Sequence, residues 1–153
     1  MKYNRGDIVS VPAGAENAAV AQIVECLRGN VLIAVFPTLF SSDSAIDVET
    51  LSLDDPIFLA ETMDLRITED MWKILGNRDV PPSIPLPEYK VWVSPPGEYR
   101  RQDIRGNVGD TLTLKEAADL RLQKSFSPAV VESALRGLHG LGPWHAVFDE
   151  LAI

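Results

Sequence analysis

Four prolines, Pro81, Pro82, Pro85 and Pro87, fall within seven residues. Proline lacks the amide donor that helix interiors and central strands both require, so neither element crosses this stretch. Immediately before it, Met71-Trp72-Lys73-Ile74-Leu75 packs a tryptophan and two aliphatics into five residues, and Gly76-Asn77 ends the run. Strand-like apolar segments precede this point and the clearest helical patterns follow it. The expected class is therefore α+β: a β-rich antiparallel sheet, curled in the manner of a small SH3-like barrel, over the first two-thirds, with a C-terminal helical segment.

The strand pattern is plainest at the start. Asp7 to Val11 alternates Ile8 and Ser10 against Val9 and Val11, the period of a strand. Ala18 to Cys26 resumes with Val20, Gln22 and Val24 on one face and Ala19, Ala21 and Ile23 on the other. Arg28-Gly29-Asn30 is a tight-turn signal, and Val31 to Phe36 reads as a buried strand. Three sequential strands with short links predict an antiparallel meander. Ile46, Val48, Leu51 and Leu53 read as a bulged strand, and Ile57 to Glu61 as another. Leu65 to Ile74 fits either a hairpin turning at Glu69-Asp70 or a short helix; the β-branched and aromatic content favours the hairpin.

Beyond the prolines, Tyr89 to Val93 is a short strand, and Glu98 to Gly109 is polar with a basic patch at Arg100, Arg101 and Arg105. Thr113 with Glu116 forms a capping-box pattern that starts a helix running to about Lys124. Ser127-Pro128 starts a second helix whose buried stripe is Val130, Val131, Ala134, Leu135 and Leu138, and Pro143-Trp144 opens a last short one. The length of 153 residues suits a single domain, with residues 1–110 as its β-rich part and 111–153 as a helical tail packed on it.

Charge narrows the function. The net charge is −8; residues 1–42 sum to zero, and residues 43–79 carry ten acids against three bases. A field of this sign repels nucleic acid and draws basic partners. The longest apolar run is too short to cross a bilayer and no signal-type leader is present, so no membrane partner and a cytoplasmic location are expected.

No catalytic, cofactor or metal constellation emerges. His139 and His145 are six apart and unsupported by cysteine, and the acids Asp43, Asp47 and Glu49 lack the glycine of a calcium loop. Gly137, Gly140 and Gly142 are in the wrong order for a phosphate loop and read as helix termination. The single Cys26 excludes an internal disulfide and reads as an inert core thiol. Trp72, Trp92 and Trp144 each sit among apolar residues and read as core anchors.

Two stretches carry a resemblance. Lys2-Tyr3-Asn4-Arg5-Gly6-Asp7-Ile8-Val9-Ser10-Val11-Pro12 with Ala21-Gln22-Ile23-Val24-Glu25, and Trp72-Lys73-Ile74-Leu75-Gly76-Asn77 with Leu86-Pro87, resemble the immunity protein 26 family. The resemblance covers roughly residues 2–93; where that family has an early aromatic-glycine segment this chain has Ala18-Ala19-Val20-Ala21. It implies a non-enzymatic protein that neutralises the toxin domain of a bacterial polymorphic toxin system by tight binding. Charge adds that the toxin domain is basic, with a nuclease as the fitting class. The partner-binding residues are then expected in the acidic segment: Asp43, Asp47, Glu49, Asp54, Asp55, Glu61, Asp64, Glu69 and Asp70. The Gly6-Asp7-Ile8-Val9 opening also resembles SH3-like mRNA interferases, but Ala21-Gln22 stands where those carry an arginine-proline pair, and the acidic charge argues against RNA binding. A generic interaction module remains the third reading.

Overall fold

The computed structural model describes residues 2–153, which fold as two compact units: the chain up to Ile84 together with Ser125–Ile153, and Pro85–Lys124. The fold is α+β, rich in mostly antiparallel sheet. In the larger unit, β1 (Asp7–Pro12), β2 (Asn17–Cys26) and β3 (Asn30–Val35) form the expected meander. The tight turn between β2 and β3 is possible because Gly29 takes φ +77°, a conformation that costs glycine nothing. The two-residue β4 (Phe40–Ser41) pairs with the start of β2. β5 (Phe58–Met63) then pairs with β3, giving the order β5-β3-β2-β1-β6, where β6 is Ile74–Asn77. Among the described residues β5 and β6 do not pair with each other, so the ladder stays open.

The alternation read for β2 places its side chains correctly. Ala19, Ala21 and Ile23 join Val9, Val11, Ile33, Val35 and Trp72 in one core cluster. The opposite face is buried as well: Val20, Gln22 and Val24 are each at most 2% exposed.

Two expected elements are corrected. The bulged strand over Ile46–Leu53 is absent; Asp47 caps a single 3-10 turn, Val48–Thr50, by accepting from the Glu49 amide at 3.1 Å. The Leu65–Ile74 hairpin is instead the short helix α1 (Leu65–Thr68). Asp70 follows with φ +58°, which swings the chain round so that the amides of Met71 and Trp72 both donate to the Arg66 carbonyl at 2.8 Å. Asp and Asn tolerate that left-handed conformation better than other side chains.

The smaller unit is a four-stranded sheet of order β10-β7-β8-β9. β7 (Tyr89–Val93), β8 (Glu98–Gln102) and β9 (Val108–Thr111) are antiparallel, and β10 (Arg121–Leu122) runs parallel to β7. The polar Glu98–Gly109 stretch thus supplies β8 and the start of β9, which its composition did not disclose. The capping box forms as read, with Thr113 and Glu116 bonded reciprocally, but its helix α2 (Leu114–Asp119) stops short of Lys124.

The chain rejoins the larger unit at α3 (Pro128–Leu138), which buries Val131, Ala134 and Leu135. Leu138, placed on the same stripe from sequence, is 36% exposed. Gly137 lies inside α3 rather than ending it; a Cβ there would stand 3.0 Å from the Pro143 carbonyl oxygen and 3.2 Å from the Trp144 ring. The tail covers the outer edge of β5: the Leu59 amide donates to Leu151 O at 2.9 Å, and the Phe126 amide donates to Glu61 O at 2.8 Å. A covered edge cannot template pairing with another chain.

Candidate functional site

The two stretches that carry the family resemblance meet in space, because β1 pairs with β6. Gly6 turns the chain at φ +92° so closely that a Cβ would stand 2.5 Å from the Arg78 carbonyl oxygen. Asp7, 6% exposed, accepts from the Asn4 amide at 2.8 Å and from Asn77 Nδ2 at 2.9 Å. Gln22, fully buried, aims Nε2 at the carbonyls of Arg78 (2.8 Å), Asp79 (3.3 Å) and Gly6 (3.4 Å). Trp72 is fully buried and donates from Nε1 to Glu132 Oε2 on α3 at 3.0 Å. Apart from Gln22 Oε1, which is buried without a partner, these polar groups are spent on backbone and on other side chains. They hold the strands together.

The acidic residues between Asp43 and Asp70 divide into two groups. Asp43, Asp47, Glu49, Asp54, Asp55, Glu69 and Asp70 are exposed, and none of the seven makes an ion pair among the described residues. The nearby cations are largely engaged elsewhere. The Arg78 guanidinium donates to the carbonyls of Leu51 (2.5 Å) and Val48 (3.1 Å), pinning the 3-10 turn beside β6. Arg66 pairs with Glu132 at 3.4 Å. Only Lys73 of the three bases is left exposed without such a bond. An open depression of about 400 Å³ lies here, lined by Glu49, Asn77, Arg78 and Asp79.

Two of the nine expected contact residues are not exposed. Glu61 is buried, 7% exposed, and accepts from Asn30 Nδ2 at 2.8 Å. Asp64 is half-buried and accepts the Tyr3 hydroxyl at 2.6 Å. Burial, and then that carboxylate, push the Tyr3 phenol far above its ordinary range, so it remains a donor throughout the working pH range. Both acids serve the fold. Alternation alone could not show this, since it gave no sign that the second face of the sheet is also covered.

The division of the chain sharpens the charge. The larger unit contains sixteen acids and seven bases, a net −9, and the smaller six acids and seven bases, a net +1. The basic patch expected in the smaller unit is partly spent internally: Arg101 contacts Glu88 at 2.6 Å, Glu116 at 2.7 Å and Asp110 at 3.4 Å.

Other singled-out residues move as well. Cys26 is exposed at the end of β2 rather than core. Desolvation by the surrounding strand, then Glu25 and Asp7, raise its thiol above the ordinary value and disfavour the reactive thiolate. Trp92 and Trp144 are 55% and 44% exposed, so only Trp72 of the three is a core anchor. Among the described residues no group of three His, Cys, Asp or Glu side chains could hold a metal ion, and no helix is long and apolar enough to cross a membrane. What the sequence reading missed is an exposed apolar corner at α1: Met63, Leu65 and Met71 are 45%, 51% and 49% exposed. The signal was three large apolar residues interleaved with Asp64, Glu69 and Asp70.

No protein-family model, no curated protein and no solved structure matches this chain.

Proposed function

We propose that this chain is a non-enzymatic, cytoplasmic immunity protein that binds the toxin domain of its own polymorphic toxin system one-to-one and blocks it by occlusion. The observation that carries this reading is the set of seven exposed carboxylates without an ion pair between Asp43 and Asp70, with two of the three bases of residues 43–79, Arg66 and Arg78, occupied internally. Such a surface fits a basic cleft, as a nuclease toxin presents to its polyanionic substrate, and complementary charge accelerates encounter. The resemblance to immunity protein 26 sequences supports it further, because its two stretches form neighbouring strands of one sheet.

The test begins with the gene neighbourhood, where a toxin-domain gene is expected and an operon of metabolic genes alone would defeat the reading; that toxin domain is then the binding partner assayed. A stable one-to-one complex and protection of cells expressing that domain are expected. Asp54→Lys with Asp55→Lys should slow association at least about tenfold at low salt and lose that effect at high salt. Absence of any complex defeats the immunity reading. A complex whose association is indifferent to these reversals defeats the acidic-surface mechanism alone.

A further inference from the structure

We infer that the corner around α1 is a docking surface for a basic protein segment that carries an apolar anchor between lysines or arginines. Met63 ends β5, Leu65 begins α1, and Met71 follows the helix, and about half of each side chain is open to solvent. The chain is compact here, since the Met71 amide bonds back to Arg66 O at 2.8 Å and Arg66 Nη1 lies 3.6 Å from the Met71 sulfur. Three large apolar side chains left exposed within nine residues of chain mark a contact site more readily than isolated ones do, and methionine adapts its shape to what it covers.

Charge identifies the occupant. Glu69 and Asp70 stand exposed beside the helix with Lys73 as the one exposed base near them, since Arg66, the cation within α1, is neutralised by Glu132. The corner belongs to the unit with net charge −9. An acidic or neutral partner would bury these carboxylates without compensation, whereas a basic one pairs them around the apolar centre. The other exposed apolar group of this unit, Leu138, Leu141 and Trp144, is flanked by histidines and by Asp149 bonded to Trp144, and carries no such signature. The inference rests on the toxin-binding reading for the partner's biological identity, and on the corner alone for its chemistry.

The chain contains three methionines, two of them here, so methyl-labelled methionine gives direct NMR reporters of the corner. The probe is a synthetic helical peptide of leucine and lysine, with the leucine–glutamate peptide of the same pattern as control. The lysine peptide is expected to shift the Met63 and Met71 methyl signals and the glutamate peptide to leave them. Glu69→Gln with Asp70→Asn should weaken binding about fivefold at low salt, and Leu65→Ala with Met71→Ala about tenfold at any salt, read from the Met63 methyl. Unmoved methyl signals, or equal response to both peptides, overturn the inference. If the neighbouring toxin domain fails to bind while the lysine peptide still shifts these signals, the immunity reading falls and the docking chemistry stands.

Discussion

Gly76 offers a quantitative probe of how the acidic segment is held against the sheet. A Cβ built on Gly76 meets Val48 Cγ2 at 2.7 Å and Cγ1 at 3.4 Å, but Val48 Cβ at 3.5 Å. The first distance is a clash and the last is ordinary contact. Gly76→Ala should therefore cost about 1–3 kcal/mol through overpacking. It does so by lifting the 3-10 turn and stretching the bonds from Arg78 to Val48 O and Leu51 O. Val48 is only half-buried, so Val48→Ala alone should cost about 1 kcal/mol. Once Val48 is alanine, only its Cβ remains to meet the new methyl. Gly76→Ala should then become neutral or stabilise by about 0.5–1 kcal/mol, because alanine in a strand loses less backbone entropy on folding than glycine. The difference between the two backgrounds gives a coupling of roughly 1–4 kcal/mol in a double-mutant cycle. Urea unfolding of the four proteins, followed by far-UV circular dichroism, measures it. Equal cost of Gly76→Ala in both backgrounds would refute the seating of Val48 on β6.

Two further outcomes test the interior. Trp72→Phe should cost about 2–4 kcal/mol, since it removes ring volume from a fully buried site and the indole donor to Glu132, whereas Glu132→Gln, which keeps an acceptor, should cost about 1 kcal/mol or less by the same urea assay. In the smaller unit, hydrogen bonds from the Thr113 backbone and side chain hold Glu116 below its ordinary pKa, as those from Asn107 hold Asp103. Depressed carboxylates contribute stability that is present above their unfolded values and lost as pH falls through their folded ones. α2 should therefore loosen on acidification below the ordinary carboxylate range, read by amide hydrogen exchange at Ala117 and Leu120, and Glu116→Gln should flatten that dependence.

What the sequence disclosed followed the strength of its local patterns. β1 to β3 were legible because alternation and a glycine turn agree, and α2 and α3 because Thr113-Glu116 and Ser127-Pro128 are helix starts with a mechanism. β8 and β9 were not, because strands of a small sheet with little apolar burial carry no hydrophobic period; every residue of β9 is exposed. The hairpin preferred over α1 failed because propensity cannot foresee a left-handed Asp70 that doubles two amides onto one carbonyl. Of the nine acids expected to face a partner, seven are exposed. Glu61 and Asp64 were misplaced because their partners, Asn30 and Tyr3, are 31 and 61 residues distant in the chain.

The division of labour between the resemblance residues and the acidic surface has an energetic basis. At Gly6 the backbone conformation and the Arg78 carbonyl exclude any side chain. Gln22 has its amide nitrogen within reach of three carbonyls, and Asp7 and Asn77 satisfy each other. Replacing Asp7 or Gln22 removes the hydrogen-bond partner of buried groups, at about 1–3 kcal/mol each. The exposed acids from Asp43 to Asp70 are under no such constraint, and substitutions at unpartnered surface positions change stability by about 0.5 kcal/mol or less. A protein can therefore alter the second set while keeping the first. The Trp72–Asn77 stretch serves the interior: Trp72 fills the core and Asn77 bonds Asp7 where β6 pairs with β1. On the toxin-binding proposal, partner choice is then expected where change is cheap, in the loops, the 3-10 turn and the α1 corner.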